Sequence, residues 1–278
     1  MRKLLFLYIT CTLAIQAISF AQKNTDTVVA QVYYKSYLMY DTIKKLATTE
    51  NMILNVGKHS SQYMSYDKVY NDSLLKELIK QGSPYVMDRS KNGMRRVSSD
   101  IIIKHYDQIG KLEWYKKILK VYVITEDVNK LLTWQITGET KQVGQLTVTK
   151  ANCRFKGRKY EAWFCADIPI QDGPYKFCGL PGLIIEMADS TGTVKFSFLG
   201  FKNVAVQNSL MPEIPKKVFP VSHQEYVQLE KAFRNDPETF LNNESADLGL
   251  GISDIKTNVG PNYKTPNWVN NHVELEDY

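Results

Sequence analysis

Between residues 28 and 201 the apolar positions fall into short runs broken by turn residues, and helical spacing is confined to a few segments. Val28 to Leu38, rich in Val and Tyr, reads as a first strand. Met52 to Val56, turned by Gly57, and Ser60 to Tyr66 follow as a second and a third. Asp72 or Ser73 can then cap a short helix that carries Leu74, Leu75, Leu78 and Ile79 on one face, and Gly82 and Pro84 stop it. Ser83 to Asp100 is polar and basic and reads as a long loop. From Ile101 the strand pattern returns, in Ile101 to Tyr106, in Lys111 to Glu126 as two strands or one bent strand, and in Leu131 to Ile136. Val143 to Cys153 and Lys159 to Cys165 flank a hairpin at Lys156-Gly157-Arg158, and Leu183 to Ala188 with Thr193 to Phe201 form another.

Connections this short imply antiparallel pairing, because parallel neighbours need long crossovers. The expected class is therefore mainly β: one curved antiparallel sheet, half-barrel or barrel, with one short helix in the N-terminal half. One or two helices follow near the C-terminus. Ser222 and Glu225 fit a capping box ahead of Tyr226, Leu229 and Phe233, and Asp236-Pro237 can start a second helix. Residues 22–241 read as a single domain, and 242–278 as a polar tail, loosely ordered or strapped across the body.

The densest motif lies between residues 162 and 185. Gly173-Pro174 marks one turn, and Leu180-Pro181-Gly182-Leu183 fits a type II turn with Gly182 at φ > 0. Gly173, Pro174, Gly179, Leu180, Pro181, Gly182, Leu183 and Ile184 thus predict a rigid corner that delivers one strand beside another. The run Gly179-Leu180-Pro181-Gly182-Leu183-Ile184 resembles the signature of the GLPGLI family, exported proteins of Bacteroidetes. Ala162-Trp163-Phe164, Asp167-Ile168-Pro169 and Gly173 to Phe177 resemble its wider pattern, and Ser60 to Ser65 an early element. Cys178 stands where that pattern commonly has Gly, so no family disulfide is read into this chain. The resemblance implies no particular activity. It does imply an envelope role, since such proteins often occur beside TonB-dependent outer-membrane transporters.

The N-terminus agrees with export. Arg2 and Lys3 precede an apolar stretch from Leu4 to Phe20, and small residues stand at Ser19 and Ala21. This is the three-part pattern of a cleavable secretory signal, residues 1–21, with Gln22 the first mature residue. The expected location is the periplasm or envelope of a Gram-negative bacterium, or its exterior. No later stretch is apolar enough to predict a transmembrane span. The formal charge of +6 has both signs interspersed, which gives no nucleic-acid footprint.

Cys153, Cys165 and Cys178 follow the signal, at intervals that match no zinc framework. The fold-back through Pro169, Gly173 and Pro174 predicts a Cys165–Cys178 bridge and a free Cys153. His59, His105, His223 and His272 are scattered, and no motif dictates a reaction or a cofactor. The paired carboxylates Glu126-Asp127 and Glu276-Asp277 read as solvated turn and tail residues. Abundant Tyr suits an apolar, peptide or glycan ligand, although half-buried strands favour Tyr anyway. The expectation is a non-enzymatic binding or accessory protein, acting on such a ligand or with an outer-membrane transporter. The alternative is a periplasmic hydrolase or carrier with an unrecognised site.

Overall fold

The computed structural model describes residues 26–82, 94, 97–204, 210–247 and 271–275. The secretory signal expected over 1–21, most of the loop expected over 83–100 and much of the tail lie outside the described residues. Among the described residues, twelve strands form one sheet. The first six are β1 (Ala30–Asp41), β2 (Leu46–Val56), β3 (Ser60–Ser65), β4 (Ile101–His105), β5 (Lys111–Lys117) and β6 (Val121–Asp127). Then come β7 (Gln135–Val143), β8 (Leu146–Phe155), β9 (Arg158–Cys165), β10 (Leu183–Asp189), β11 (Val194–Asn203) and the two-residue β12 (Phe219–Pro220). The helices are α1 (Tyr66–Lys80), the single turn α2 (Val128–Leu131), α3 (His223–Asn235) and α4 (Pro237–Asp247).

The sheet is two antiparallel meanders, β1 to β6 and β7 to β11, joined where β1 pairs with β11. Its order is β12-β6-β5-β4-β3-β2-β1-β11-β10-β9-β8-β7, and only β12 runs parallel to its neighbour. This connectivity forces curvature. Asp127 to Gln135 can span at most about 29 Å fully extended. Ten interstrand steps of about 4.8 Å would place β6 and β7 about 48 Å apart in a flat sheet. The sheet must curl until its two ends approach. They do: Lys156, in the β8–β9 turn, lies 3.4 Å from Glu126 on β6. The ends do not pair, so the sheet is curled but not closed into a barrel.

Side chains on the concave face follow the two-residue period of the strands. One row across the sheet runs Val32, Leu54, Tyr63, Ile102, Trp114 and Ile124, all buried. The β9–β10 connection, residues 166–182, lies inside this curve and brings Phe177 and Leu180 into the core beside Ile184 of β10. Tyr34 on β1 donates to the Ile184 carbonyl at 2.7 Å, fixing the corner to the centre of the sheet.

Local differences from the sequence expectation have local causes. Helix α1 starts seven or eight residues early, because Ser65 at the end of β3, not Asp72 or Ser73, caps it by accepting from Lys68 N at 2.9 Å. Asp72 instead pairs with Lys68 on the helix surface. The run expected as a strand from Leu131 begins as the turn α2, capped by Asp127, and β7 starts only at Gln135. The Ser222–Glu225 capping box is present. Helix α4 continues to Asp247, and residues 271–275 are docked on the body.

The corner itself is tighter than a type II turn. Gly182 N donates to Leu180 O at 2.8 Å, a three-residue turn about Pro181. Gly182 has φ +156°, and a Cβ there would stand 2.2 Å from the Cys165 carbonyl oxygen. Glycine is required mainly because two backbones touch. Gly182→Ala is expected to lower unfolding free energy by at least about 1–3 kcal/mol, measured by urea denaturation. Wild-type stability would show that the two backbones separate without cost.

Candidate functional site

The corner carries two charged side chains into the interior, and each finds its partner on a distant strand. Asp172 is 1% exposed and forms an ion pair with Lys104 on β4, itself 3% exposed. Asp172 also accepts from Ser61 Oγ, from Tyr106 Oη at 2.7 Å and from Gly173 N at 2.6 Å. Lys104 Nζ donates onward to the Gly173 carbonyl at 2.8 Å. Burial of Tyr106, together with the Asp172 charge, pushes its hydroxyl well above the ordinary range.

Lys176, fully buried, ion-pairs with Glu126 on β6 and with Glu274 at 2.7 Å. Its ammonium lies 3.8 Å from the centre of the Trp114 ring. Tyr175 Oη donates to Glu274 Oε1 at 2.6 Å, and His223 Nδ1 lies 3.3 Å from Glu126 Oε1. Burial works to raise Glu126, but His223 and the charges of Lys176 and Lys156 overcome it and hold the carboxyl at about 2. Oxygens of Glu126 and Glu274 and a nitrogen of His223 lie within 4.8 Å of one another, a possible ligand set for a metal. Two lysines already neutralise these carboxylates, so a divalent cation would first have to displace Lys176.

Glu274 is delivered by residues 271–275. Arg158 at the start of β9 donates to the carbonyls of His272 and Val273 at 3.1 Å and pairs with Asp189 at 2.9 Å. Asn271 Nδ2 donates to the Met39 carbonyl at 2.6 Å, and Leu275 N to the Lys156 carbonyl at 3.0 Å. This strap forms one wall of a cavity of about 250 Å³ on the concave face. Met52, Ile102 and Phe196 give apolar surface, and Trp114 and Tyr175 are edge-to-face at 6.0 Å. Glu50, Asp100, Glu230 and Glu274 line it with the single lysine Lys116.

Of the residues singled out in the sequence, Gly173, Pro174 and Gly179 to Ile184 build the corner and do not line this cavity. The three cysteines are free thiols, and the Cys165–Cys178 bridge is not formed. Register explains this: Cys165 faces Leu183 across the ladder, and Cys178 faces Asp172. Burial raises the Cys153 thiol to about 12 and the Cys178 thiol to about 11, which works against either acting as a nucleophile. Glu126 is corrected: it is no solvated turn residue but the third inward position of β6, after Tyr122 and Ile124. That alternation was present in the sequence. His223, Glu50, Asp100 and Glu274 carried no local signal and are brought together only by the curl.

The molecule is thus an open, curled, mainly β protein with a plugged interior and a small cavity beside the plug. No helix among the described residues is long and apolar enough to cross a membrane. Residues 154–186, which span β9, the corner and the start of β10, match a family described as "Protein of unknown function (Porph_ging)". No curated protein matches the chain. The solved structure titled "Structure of PNGF-II in P21 space group" is similar at 11% identity and a TM-score of 0.48. Another, "Structure of PNGF-II in C2 space group", is similar at 10% identity and a TM-score of 0.47. They cover 72% and 73% of this chain, and the chain spans only 32% of the length of each.

Two predictions concern the buried charges. Lys104→Met or Asp172→Leu alone leaves an uncompensated buried group and is expected to cost about 3–5 kcal/mol. The Lys104→Met/Asp172→Leu double variant should cost clearly less than the sum, read from a double-mutant cycle in urea. Simple additivity would mean the two groups are energetically independent. The second concerns acid. Glu126 sits at about 2 against an ordinary 4.5, so its stabilisation is complete above 4.5 and is lost as pH falls towards 2. Glu126→Gln should therefore be less stable at neutral pH and show a shallower loss between pH 4.5 and 2. An unchanged slope in thermal melts would rule out this assignment.

Proposed function

We propose that this chain is an exported envelope protein of the GLPGLI type that binds a compact ligand inside its curled sheet. The observation that carries the reading is the cavity of about 250 Å³, walled by apolar and aromatic side chains and set with a few polar groups. Such a composition suits a small-molecule site, although the volume is below the roughly 300–1,000 Å³ typical of drug-sized ligands. A ligand the size of one sugar or amino acid fits it best. The signal-like N-terminus supports export. The GLPGLI run at 179–184 lies within the segment matched by the uncharacterised family, which supports the family reading without adding an activity. An envelope location would let the protein hand its ligand to, or receive it from, an outer-membrane transporter.

Purification from the native envelope, with mass spectrometry of the intact protein and of whatever accompanies it, tests this. The expected result is a chain that begins at Gln22, with no lipid, carrying one defined small molecule. A chain that begins at Met1 would remove the export assignment. A ligand-free chain in stoichiometric complex with a membrane protein would replace the binding role with an accessory one.

A further inference from the structure

Most charged groups around the cavity already have partners. Glu274 is held by Lys176 at 2.7 Å and by Tyr175, and Glu230 by Arg234 at 3.1 Å. Asp100 accepts from Trp114 Nε1 at 3.0 Å and lies 4.0 Å from Lys116. Glu50 differs. It points inward on β2, two residues before Met52, and accepts only neutral donors, Ser98 N at 2.8 Å and the Ser65 hydroxyl. No cation among the described residues pairs with it. A desolvated carboxylate without a counter-charge is costly, and burial raises the Glu50 carboxyl accordingly.

A second observation is independent of the carboxylates. Tyr63 on β3 lines the same cavity, is 3% exposed, and its buried hydroxyl has no hydrogen-bond partner. Buried hydroxyls are normally satisfied, and one left open in a cavity wall marks the place of a missing partner. Glu50 is on β2, the strand paired with β3, and lines the same cavity, which places the two groups near one another. One feature of a ligand would satisfy both: an ammonium, with several N–H donors and a positive charge. Its carbon body would lie against Met52, Ile102 and Phe196. With Glu274, Glu230 and Asp100 offset by Lys176, Arg234 and Lys116, the negative charge of Glu50 is left over and sets the cavity against anions.

We propose that the cavity selects a compact organic amine, whose ammonium donates to the Glu50 carboxylate and to the Tyr63 hydroxyl oxygen. This rests on the binding role proposed above and names the chemistry of its ligand.

The test titrates the purified chain from Gln22 onward with three probes of similar shape, by calorimetry: 2-phenylethylamine, 2-phenylethanol and phenylacetate. The amine is expected to bind best. Glu50→Gln, which keeps an acceptor for Ser98 N, should weaken it by about tenfold or more. Tyr63→Phe removes only the unpartnered hydroxyl, so it should retain the wild-type melting temperature while also weakening the amine. Preference for the alcohol or the acid, or amine affinity unchanged in both variants, overturns the inference and leaves the binding role standing. If no probe binds, the molecule recovered from the envelope decides: an amine supports the inference and a neutral or anionic compound overturns it. An empty cavity in both experiments removes the inference and the binding role together.

Discussion

A buried ion pair between Lys104 on β4 and Asp172 in the β9–β10 corner ties together the two halves of the chain. Neither charge could remain in the interior alone, since an unpaired buried charge costs several kcal/mol. Once the corner enters the curl, its position is dictated. Asp172 must reach β4, and Lys176, four residues on, must reach Glu126 on β6 and Glu274 on the C-terminal strap. Tyr34 fixes the far side of the corner through the Ile184 carbonyl. Replacing these groups with well-packed apolar ones could yield an equally stable fold. What the charges add is register: they specify which strands the corner faces.

The same constraint creates the cavity. The corner fills one end of the concave face with Phe177, Leu180 and Ile184, and the strap closes over Tyr175 and Lys176. Space remains beyond Tyr175, between the strap and the inner faces of β1 to β5. The polar groups left there without full partners, Glu50 and Tyr63, are held on strands, not loops, so their positions are set by ladder hydrogen bonds. A site on regular strands is well suited to recognition that needs little rearrangement.

Much of the architecture was legible along the chain. Period-two runs separated by Gly and polar turns identified nearly every strand from β1 to β11, and the Ser222–Glu225 box marked α3. The errors fell at ends, where one hydrogen bond decides: Ser65 caps α1 early, and Asp127 caps α2 within a run that reads as strand. The predicted disulfide failed for a similar reason. Spacing allowed Cys165 and Cys178 to meet, but register placed Leu183 opposite one and Asp172 opposite the other.

The sequence by itself determined the class of fold, the antiparallel pairing and the corner at Gly173 to Ile184, because these follow from local periodicity and backbone freedom. Only the tertiary structure decided that the sheet curls without closing. It also decided that Lys104 and Lys176 are interior charges with distant partners, and that Glu50, Tyr63 and Glu274 share one cavity. Their separations along the chain are set by loop lengths that carry no chemistry. They meet because a short β6–β7 connection bends ten interstrand steps into a curve. No local pattern encodes that distance.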